Sequence, residues 1–477
     1  ETQKFQTLWD RIKQKYDCPI IQNNFELPRV NTLGNLGFSD PHGATHFTLS
    51  LNQLFAEAAQ QHTSLYIHDI HTLSARFGLE QWHSRYHWYA YKFAMHINAI
   101  PLFAQSLASI IKSIYGQSKK CLILDLDNTL WGGVIGDDGM NGIELGLETP
   151  TGEAFSGFQT YLKRLRTQGV ILAACSKNEL VNAKSGFSHP DSILQLEDFA
   201  VFKANWKSKS ENICNIAKTL NLGLDSLVFF DDNPVERALV ASQLPEVTVP
   251  ELGESDVTDF ISIIEKNQFF ELASISDEDQ KRSQYYTENA NRHTQVNRFE
   301  DYNSFLRSLA MEAEVNNFTP VYLDRITQLI NKTNQFNLTT KRYTLAEVKA
   351  IADNDEYFTL YGRLTDKFGD NGLISIIIAR VEVLSLYIDT WLMSCRVFQR
   401  GMEYAIFDKL IESALAFKIT TIYGYYNKTL KNSIVQDLYK TLGFECQSLE
   451  DNGDSVWRYT IPQIYTPKNK IIKIIKI

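Results

Sequence analysis

The sequence predicts an α/β protein with a parallel β-sheet in its central domain. Three short, continuous apolar runs, 121–124, 170–175 and 227–230, have the pattern of strands that are buried on both faces. Two amphipathic segments, 152–168 and 209–221, lie between them. Because strands that alternate with helices are joined by right-handed crossovers, this order favours a parallel sheet.

The two predicted helices carry their own start and stop signals. Ser208 and Glu211 form the capping-box pattern at the start of the second helix. Gly169 and Gly223 follow the two helices, and glycine is the residue that most often ends a helix. These signals support the helix boundaries independently of the apolar pattern.

The length of 477 residues favours about three domains. The polar, helix-compatible stretch that includes 276–283 divides two regions of alternating apolar and amphipathic segments, so we interpret it as a connector. The predicted parts are an aromatic-rich N-terminal region (1–118), a central domain (119–250), a helical connector (251–304), an α+β domain (305–463) and a tail (464–477). The tail could be an edge strand, a small amphipathic turn or the site of a cut, and we favour the first or the last.

Composition excludes several classes of protein. Hydrophobic residues make up 44% and charged residues 22%, which is close to globular averages and excludes a disordered or collagen-like chain. No uninterrupted apolar run approaches the roughly 18 residues of a membrane span, so we expect no membrane partner. The 47 Lys and Arg against 56 Asp and Glu give a net charge of −9. We therefore expect no nucleic acid, and any anionic partner needs a local basic patch.

The cysteines and the first residue bear on where the chain works. The six cysteines lack the paired spacing of a zinc site or a disulfide framework, which predicts free thiols in a reducing cytoplasm. Residue 1 is Glu rather than Met, so we expect a processed or excised chain.

Polar side chains follow each predicted strand of the central domain. Asp125 and Asp127 follow the first strand, Ser176 follows the second, and Asp231 and Asp232 follow the third. The carboxyl ends of parallel strands meet at one edge of a sheet, where ligands bind. Four carboxylates within about 4–6 Å of one another repel by roughly 1–4 kcal/mol per pair, so they need a cation. Oxygen ligands beside a phosphate substrate favour Mg²⁺.

These motifs, in this order, resemble those of the haloacid dehalogenase (HAD) phosphatase superfamily. The resemblance implies that Asp125 is the nucleophile that takes the phosphoryl group as an aspartyl-phosphate. It implies that Asp127 is the general acid for the leaving oxygen and then the base for water. Ser176 would hold a phosphoryl oxygen, and Lys209 would neutralise the developing charge, with Lys207 as a nearby competitor for that role.

The same resemblance implies a metal site and its surroundings. Asp231, helped by Asp232, would hold Mg²⁺ together with Asp125 and the backbone carbonyl of Asp127. The residues that we expect to contact the substrate are Asn128, Thr129, Lys177, Asn178 and Arg396. About 50 residues separate Asp127 from Ser176, too few for a large cap domain. The site is therefore predicted to be open, which suits a bulky or carrier-tethered substrate or a neighbouring domain that acts as the lid.

Longer strings in the chain closely resemble the FkbH-like family. The resemblance covers about residues 65–460. The strings are Cys121-Leu-Ile-Leu-Asp-Leu-Asp-Asn-Thr-Leu-Trp-Gly-Gly-Val-Ile-Gly-Asp-Asp-Gly, Ala174-Cys-Ser-Lys-Asn, Asn205-Trp206, Phe230-Asp-Asp-Asn-Pro-Val-Glu-Arg, Lys332-Thr-Asn-Gln-Phe-Asn-Leu-Thr-Thr, Phe368-Gly-Asp-Asn-Gly, and Ser394-Cys-Arg with Gly401-x-Glu403. The resemblance implies transfer of a glyceryl unit from 1,3-bisphosphoglycerate to the phosphopantetheine thiol of an acyl carrier protein, with loss of both phosphates. Such units feed polyketide and related pathways.

The C-terminal domain offers a second candidate centre. Its last segment, 434–444, resembles the closing motif of the GNAT acyltransferase fold, which binds pantetheine beside the strand before the turn at 396–403. That turn departs from the usual anion-binding pattern, which puts binding of free coenzyme A in doubt. Cys395 ends the strand, so we predict that it accepts and relays the acyl group, with Arg396 lowering its thiol pKa. Cys175 is the alternative acyl acceptor. An inert packing cysteine is the competing interpretation of both.

Other features leave alternatives open. His83 with His87, and His68 with His71, have the spacing of helical metal pairs, but only Asp69 lies nearby to complete a set. We therefore favour a partly buried aromatic region used for packing or carrier docking, in what resembles a remnant of a hydrolase-like α/β domain. The amide-rich string 331–337 binds substrate, covers the phosphatase site as a lid, or is a capped surface loop.

Two other functions compete with glyceryl transfer. One is a plain HAD phosphatase that acts on a small phosphometabolite or a phosphoprotein. The other is a carrier-docking acyltransferase module whose phosphatase site is vestigial.

Overall fold

The structure is a computed structural model that describes residues 2–16, 18–62, 64–253, 255–273, 285, 286, 288, 292, 301–394 and 397–475. The chain forms two compact units. The first unit consists of Glu1–Tyr115, Glu271–Ala273 and Thr344–Ala346. The second consists of Gly116–Phe270, Ser274–Tyr343 and Glu347–Ile477.

The first unit packs helices around a two-stranded parallel sheet. Strands β1 (Ile20–Asn23) and β2 (Leu65–His68) pair in register from Ile20↔Leu65 to Asn23↔His68. The helices are α1 (Thr2–Lys15), α2 (Leu36–Ser39), α3 (Ala44–Gln61), α4 (Ile70–Phe77), α5 (Leu79–Trp82), α6 (Arg85–Tyr91) and α7 (Ile100–Ile114). Trp9 and Phe55 are the large buried side chains of its core, with ring centroids 5.4 Å apart.

One helical stretch in the described part of the chain, Ile97–Ile114, is long and apolar enough to cross a membrane by length and composition alone. The core helix of a soluble protein passes the same test, but only 22% of this stretch is buried in the structure. The expected absence of a membrane partner therefore stays a prediction.

The second unit begins with the parallel sheet that the sequence predicts. Its strand order is β5-β4-β3-β6, with β3 in the centre, and every neighbouring pair is parallel. The strands are β3 (Cys121–Leu124), β4 (Ile171–Ser176), β5 (Phe199–Ala204) and β6 (Leu227–Phe230). The three predicted strands are confirmed, and the edge strand β5 is an addition that the apolar pattern did not reveal.

Helices cover both faces of this sheet. They are α8 (Ile135–Asp138), α9 (Pro150–Thr167), α10 (Leu180–Ser185), α11 (Lys209–Leu220), α12 (Pro234–Gln243) and α13 (Val257–Asn267). Alternate residues of β3 point to opposite faces, so Leu122 packs with α9 and α13 while Ile123 packs with α11. All four residues of β3 are buried, as expected for a parallel strand between two helical layers.

The C-terminal part of the second unit is a mixed eight-stranded sheet with helices. Its strand order is β12-β13-β11-β10-β9-β8-β7-β14. The strands are β7 (Glu312–Asn316), β8 (Tyr357–Asp366), β9 (Gly369–Glu382), β10 (Ser385–Met393), β11 (Thr421–Tyr426), β12 (Glu445–Leu449), β13 (Ser455–Thr460) and β14 (Lys473–Ile475). The remaining helices are α14 (Tyr302–Ser308), α15 (Leu323–Lys332), α16 (Leu345–Ala352), α17 (Met402–Ala416) and α18 (Leu438–Thr441).

The fold class predicted from the sequence is confirmed: a parallel α/β sheet domain is preceded by a partial α/β region and followed by an α+β domain. In the tail, β14 pairs in parallel with β7 at the edge of the larger sheet. The edge-strand interpretation of the tail is therefore confirmed. The polar string 276–283 of the predicted connector lies outside the described residues.

Candidate active site

The carboxyl ends of the neighbouring strands β3 and β6 bring three carboxylates together. Asp125 follows β3 directly, and its backbone N–H donates to the carbonyl of Phe230, the last residue of β6. Asp231 and Asp232 come next after Phe230 in the chain. Side-chain oxygens of Asp125, Asp231 and Asp232 all lie within 4.8 Å of one another, as the strand order predicts.

Lys209 lies among these carboxylates. It is the first residue of α11, and the helix is fixed there because Ser208 Oγ accepts from the Glu211 N–H. Its Nζ lies 2.9 Å from Asp125 Oδ2 and also pairs with Asp231 Oδ2. Lys209 is buried, which by itself lowers its pKa, but the charges of Asp125 and Asp231 outweigh burial and the pKa is raised.

Lys207 does not compete for this position. It precedes the N-cap of α11, its side chain is 60% exposed, and its Nζ pairs with Glu211 on the outer surface. The structure therefore brings Lys209, and not Lys207, to the carboxylate cluster.

The cluster still carries more negative than positive charge. Burial, and then the Asp125 carboxylate, raise the pKa of Asp231 to about 6. The same two causes raise the pKa of Asp232. Asp125 Oδ1 is buried and has no hydrogen-bond partner among the described residues. Three converging carboxylates and an unpartnered buried oxygen are a donor set that fits a divalent cation with oxygen ligands.

The Asp127 side chain is held by three hydrogen bonds. Its Oδ1 accepts hydrogen bonds of 3.0 Å from Trp131 Nε1 and from the Ile135 N–H, and its Oδ2 accepts one of 3.1 Å from Asn178 Nδ2. Burial chiefly, with a contribution from Asp125, raises its pKa above that of an ordinary aspartate. A carboxyl group with a raised pKa beside a nucleophile suits proton transfer. Its side chain is not among the converging cation ligands, and the predicted contribution of its carbonyl stays a prediction.

The predicted substrate contacts differ in how accessible they are. Asn128 is exposed, with φ of +53°, and its Oδ1 accepts from the Gly133 N–H at 3.0 Å. Lys177 is half-exposed and pairs with Glu236 at 2.6 Å. Ser176 is buried at the end of β4, and Asn178 is buried with its Nδ2 donating a hydrogen bond to Asp127.

Thr129 is placed differently from the prediction. It is fully buried, and its Oγ1 lies 3.2 Å from Asp232 Oδ1. The hydroxyl therefore orients a carboxylate of the cluster, and the expectation that it contacts substrate is wrong.

Two residues of the site were not predicted. Trp131 is fully buried and donates to Asp127, which fixes the orientation of that carboxyl group. Arg237 is buried, and its Nη1 donates to the backbone carbonyls of Asp231 and Asp232 at 2.8 and 2.6 Å. Both residues lie in the family-like strings, which were the available signal, but their roles depend on contacts that spacing does not give.

The structure describes one of the two cysteines that were predicted to accept the acyl group. Cys175 is fully buried, its Sγ faces the Lys209 carbonyl at 3.8 Å, and burial raises its pKa to about 12. A buried, protonated thiol is a poor nucleophile, so the alternative that Cys175 carries the acyl group is contradicted. Cys395 and Arg396 lie outside the described residues, and their predicted roles stay predictions.

The end of β10 is hydrogen-bonded to the amide-rich string. Strands β10 and β11 pair in parallel from Ser385↔Thr421 to Ile388↔Gly424. Beyond Ile388 and Gly424, the backbone of segment 336–338 forms hydrogen bonds with β10 and with Asn427, the residue after β11. The hydrogen bonds are Met393 N–H to Phe336 O at 3.0 Å, Leu338 N–H to Trp391 O at 3.0 Å and Asn427 N–H to Leu338 O at 2.8 Å. Since Phe336, Asn337 and Leu338 are all buried, the surface-loop interpretation of this string is wrong.

The same string does not lie over the carboxylate cluster. Gln335 Nε2 lies 3.7 Å from the position that a Cβ on Gly223 would take, and Gly223 precedes β6. Lys431 pairs with Asp225, in the same short connection to β6. The C-terminal domain therefore contacts the amino ends of the parallel strands, whereas the carboxylates lie at the carboxyl ends. The lid interpretation is wrong, and one strand length, roughly 13 Å, separates this contact from the cluster.

Two histidines of the predicted metal pairs have side-chain partners, whereas His71 Nδ1 and His87 Nδ1 are buried without a hydrogen-bond partner among the described residues. His68 Nδ1 lies 3.1 Å from Asn23 Oδ1, and His83 Nε2 lies 3.4 Å from Glu26 Oε1. Among the described residues, the Asp125, Asp231 and Asp232 group is the one whose ligand atoms converge as a metal site requires.

Comparisons with known proteins place these observations in context. The family model described as FkbH, N-terminal domain, matches residues 2–112. The chain is 36% identical to the N-terminal part of the protein BF1531 from Bacteroides fragilis, whose crystal structure contains a phosphatase domain complexed with Mg. That match covers 57% of this chain and 73% of that chain, with a TM-score of 0.55.

Two further similarities are smaller. The ribosomal-protein-S18-alanine N-acetyltransferase from Escherichia coli is 12% identical, with 32% of this chain and 99% of that chain covered and a TM-score of 0.25. A GNAT-family acetyltransferase from Streptococcus pneumoniae is 16% identical, with 32% and 100% covered and a TM-score of 0.26. No curated protein matches the chain.

Proposed function

The chain belongs to the FkbH-like family, and we propose that it is a Mg²⁺-dependent enzyme that loads a glyceryl unit onto an acyl carrier protein. The donor is 1,3-bisphosphoglycerate, and the acceptor is the phosphopantetheine thiol of the carrier. The observation that carries the phosphatase part of this proposal is the position of Lys209 between Asp125 and Asp231, at the end of a parallel sheet. The five described cysteines are free thiols, which fits the proposed reducing cytoplasm.

The phosphate ester is removed in two steps at the carboxylate cluster. A carboxylate oxygen of Asp125 attacks phosphorus, the bond from phosphorus to the ester oxygen breaks, and that oxygen takes the proton of Asp127. Asp127 then accepts a proton from water, which attacks phosphorus and releases phosphate from Asp125. The raised pKa of Asp127 supports its being protonated before the first step.

The remaining residues orient the reacting groups. Trp131 and Asn178 hold the Asp127 carboxyl group, and Lys209 stabilises charge that develops on the phosphoryl oxygens. Asp125, Asp231 and Asp232 would hold Mg²⁺, which neutralises phosphoryl charge when bound. Arg237 keeps the Asp231–Asp232 backbone in place.

We expect Lys209→Met to lower phosphate release from p-nitrophenyl phosphate by about a hundred-fold to a thousand-fold, because one preorganised cation is lost from the transition state. The matched control is Lys207→Met, two residues away, which removes only an exposed pair with Glu211. The control should remain within about two-fold of the unchanged enzyme, since surface pairs contribute little. Equal losses in both variants, measured in initial-rate assays, would contradict the assignment of Lys209.

The transfer reaction is tested directly with the holo carrier protein. The enzyme, Mg²⁺ and 1,3-bisphosphoglycerate are incubated with the carrier, which is then weighed by intact-mass spectrometry. With Mg²⁺ we expect a glyceryl adduct without phosphate. When EDTA replaces Mg²⁺ we expect an adduct that keeps its ester phosphate, because thiol attack releases only the acyl phosphate. Phosphate release without any carrier adduct would instead support a phosphatase of small metabolites or phosphoproteins. An adduct that keeps its phosphate in the presence of Mg²⁺ would indicate a vestigial phosphatase site.

A further inference from the structure

The first unit contains an open groove of about 840 Å³ that none of the roles above uses. Its walls are residues 25–30, which follow the carboxyl end of β1, and the helix α6 with its N-cap Ser84. The volume lies in the range of pockets that hold small organic ligands, roughly 300–1,000 Å³.

The walls of the groove are aromatic and partly solvent-accessible. Phe47 is 52% exposed, Trp88 is 49% exposed and Phe93 is 41% exposed. The wall formed by residues 25–30 is held in place, because the Phe25 N–H donates to Asn52 Oδ1 at 2.9 Å and Asn52 Nδ2 donates to the Phe25 carbonyl at 2.7 Å. Exposed rings beside a fixed wall form an apolar surface that an extended aliphatic ligand can cover.

The groove is also locally basic in an acidic protein. Arg29 and Arg85 line it, and Lys92 Nζ lies 5.8 Å from the centroid of the Trp88 ring. The acidic lining residue Glu26 is paired with His83. Since the whole chain has a net charge of −9, this is the kind of local basic patch that an anionic partner requires. Guanidinium groups bind phosphate with directed hydrogen bonds.

We propose that this groove binds the 4′-phosphopantetheine arm of the acyl carrier protein. The arm is an extended chain of aliphatic and amide groups with a phosphate at one end, so its body matches the aromatic walls and its phosphate matches Arg29 and Arg85. This inference rests on the proposed function, because it takes the carrier protein as the partner. It makes the first unit a docking domain for the carrier.

Calorimetric titration of the full chain with 4′-phosphopantetheine tests the proposal. Trp88→Ala and Arg85→Glu should each weaken binding at least ten-fold, and Arg85→Lys should weaken it less than Arg85→Glu. Tyr86→Ala is the matched control, because Tyr86 is an exposed aromatic residue of the same helix that does not line the groove. It should bind as the unchanged chain does. Pantetheine, which lacks the phosphate, should bind at least ten-fold more weakly.

Several results would overturn the proposal. One is the absence of 4′-phosphopantetheine binding to the full chain. Another is an equal affinity of Trp88→Ala and Tyr86→Ala for 4′-phosphopantetheine. A third is tighter binding of adenosine monophosphate than of 4′-phosphopantetheine. Activity on p-nitrophenyl phosphate distinguishes this failure from failure of the proposed function. The groove variants should keep that activity, and an unchanged chain that releases phosphate but does not bind the arm refutes the groove alone. Arm binding by a chain that never loads the carrier would refute the transfer reaction alone.

Discussion

Asp125→Asn is expected to reduce phosphate release from p-nitrophenyl phosphate by at least a thousand-fold, which corresponds to an increase of about 4 kcal/mol in the activation barrier. The amide has nearly the same shape as the carboxylate but cannot form the aspartyl-phosphate. The variant should nevertheless fold. Asp125 is one of three clustered carboxylates, so its replacement by a neutral group removes repulsion with Asp231 and Asp232 in the metal-free protein. Its thermal unfolding temperature without Mg²⁺ should therefore not decrease.

The matched control for this variant is Asp225→Asn. Asp225 lies before β6, at the other end of the strand that Asp231 follows, and it pairs with Lys431. Its replacement should leave phosphate release from p-nitrophenyl phosphate within about two-fold, because the lost pair is half-exposed. If Asp125→Asn keeps more than about 0.1 per cent of the activity, Asp125 is not the nucleophile.

The carboxylate cluster could be predicted because its cause is local. Cys121–Leu124 and Leu227–Phe230 are short runs without a polar residue, so their ends are unambiguous, and parallel pairing then brings Asp125 and Asp231 together. The choice between Lys207 and Lys209 is different. Both are near the start of α11, and only the position of the N-cap Ser208 decides which lysine faces the sheet.

The contacts that orient the cluster could not be predicted from spacing. Asn178 reaches Asp127 across 51 residues of sequence, and Thr129 reaches Asp232 across 103. Such pairs depend on the side-chain directions that the assembled sheet imposes. The strand Phe199–Ala204 was missed although its first four residues are apolar. It lies at the edge of the sheet, where Phe202 and Lys203 are only partly buried.

The C-terminal domain shows the same limit in a different form. The string 331–337 is rich in side-chain amides that suit a loop, yet its end, Phe336 and Asn337, is buried between two strands that stop pairing after Ile388 and Gly424. The backbone groups of segment 336–338 are satisfied by Trp391, Met393 and Asn427, which lie far along the chain. Polar composition predicted exposure, but the burial of the segment follows from the divergence of β10 and β11, which only the assembled sheet reveals.

Cys395→Ala is expected to abolish carrier loading while phosphate release from p-nitrophenyl phosphate is unchanged. In the proposed transfer the Cys395 sulfur attacks the acyl carbon, the bond from that carbon to the phosphate oxygen breaks, and the carrier thiol later displaces Cys395. The C-terminal domain contacts the amino ends of the parallel strands, away from the carboxylate cluster. Loss of the thiol should therefore not disturb Asp125.

The two variants together test whether the centres act in sequence on a substrate that moves between them. Asp125→Asn alone should yield a carrier adduct that keeps its phosphate, and Cys395→Ala alone should yield no adduct. A mixture of the two should give the glyceryl adduct without phosphate, because the phosphate-bearing carrier made by one chain is hydrolysed by the Asp125 of the other. The intact mass of the carrier distinguishes these products. Since the cluster lies at the opposite strand ends from the C-terminal domain, a mixture that accumulates only the phosphate-bearing adduct would contradict a carrier-borne intermediate.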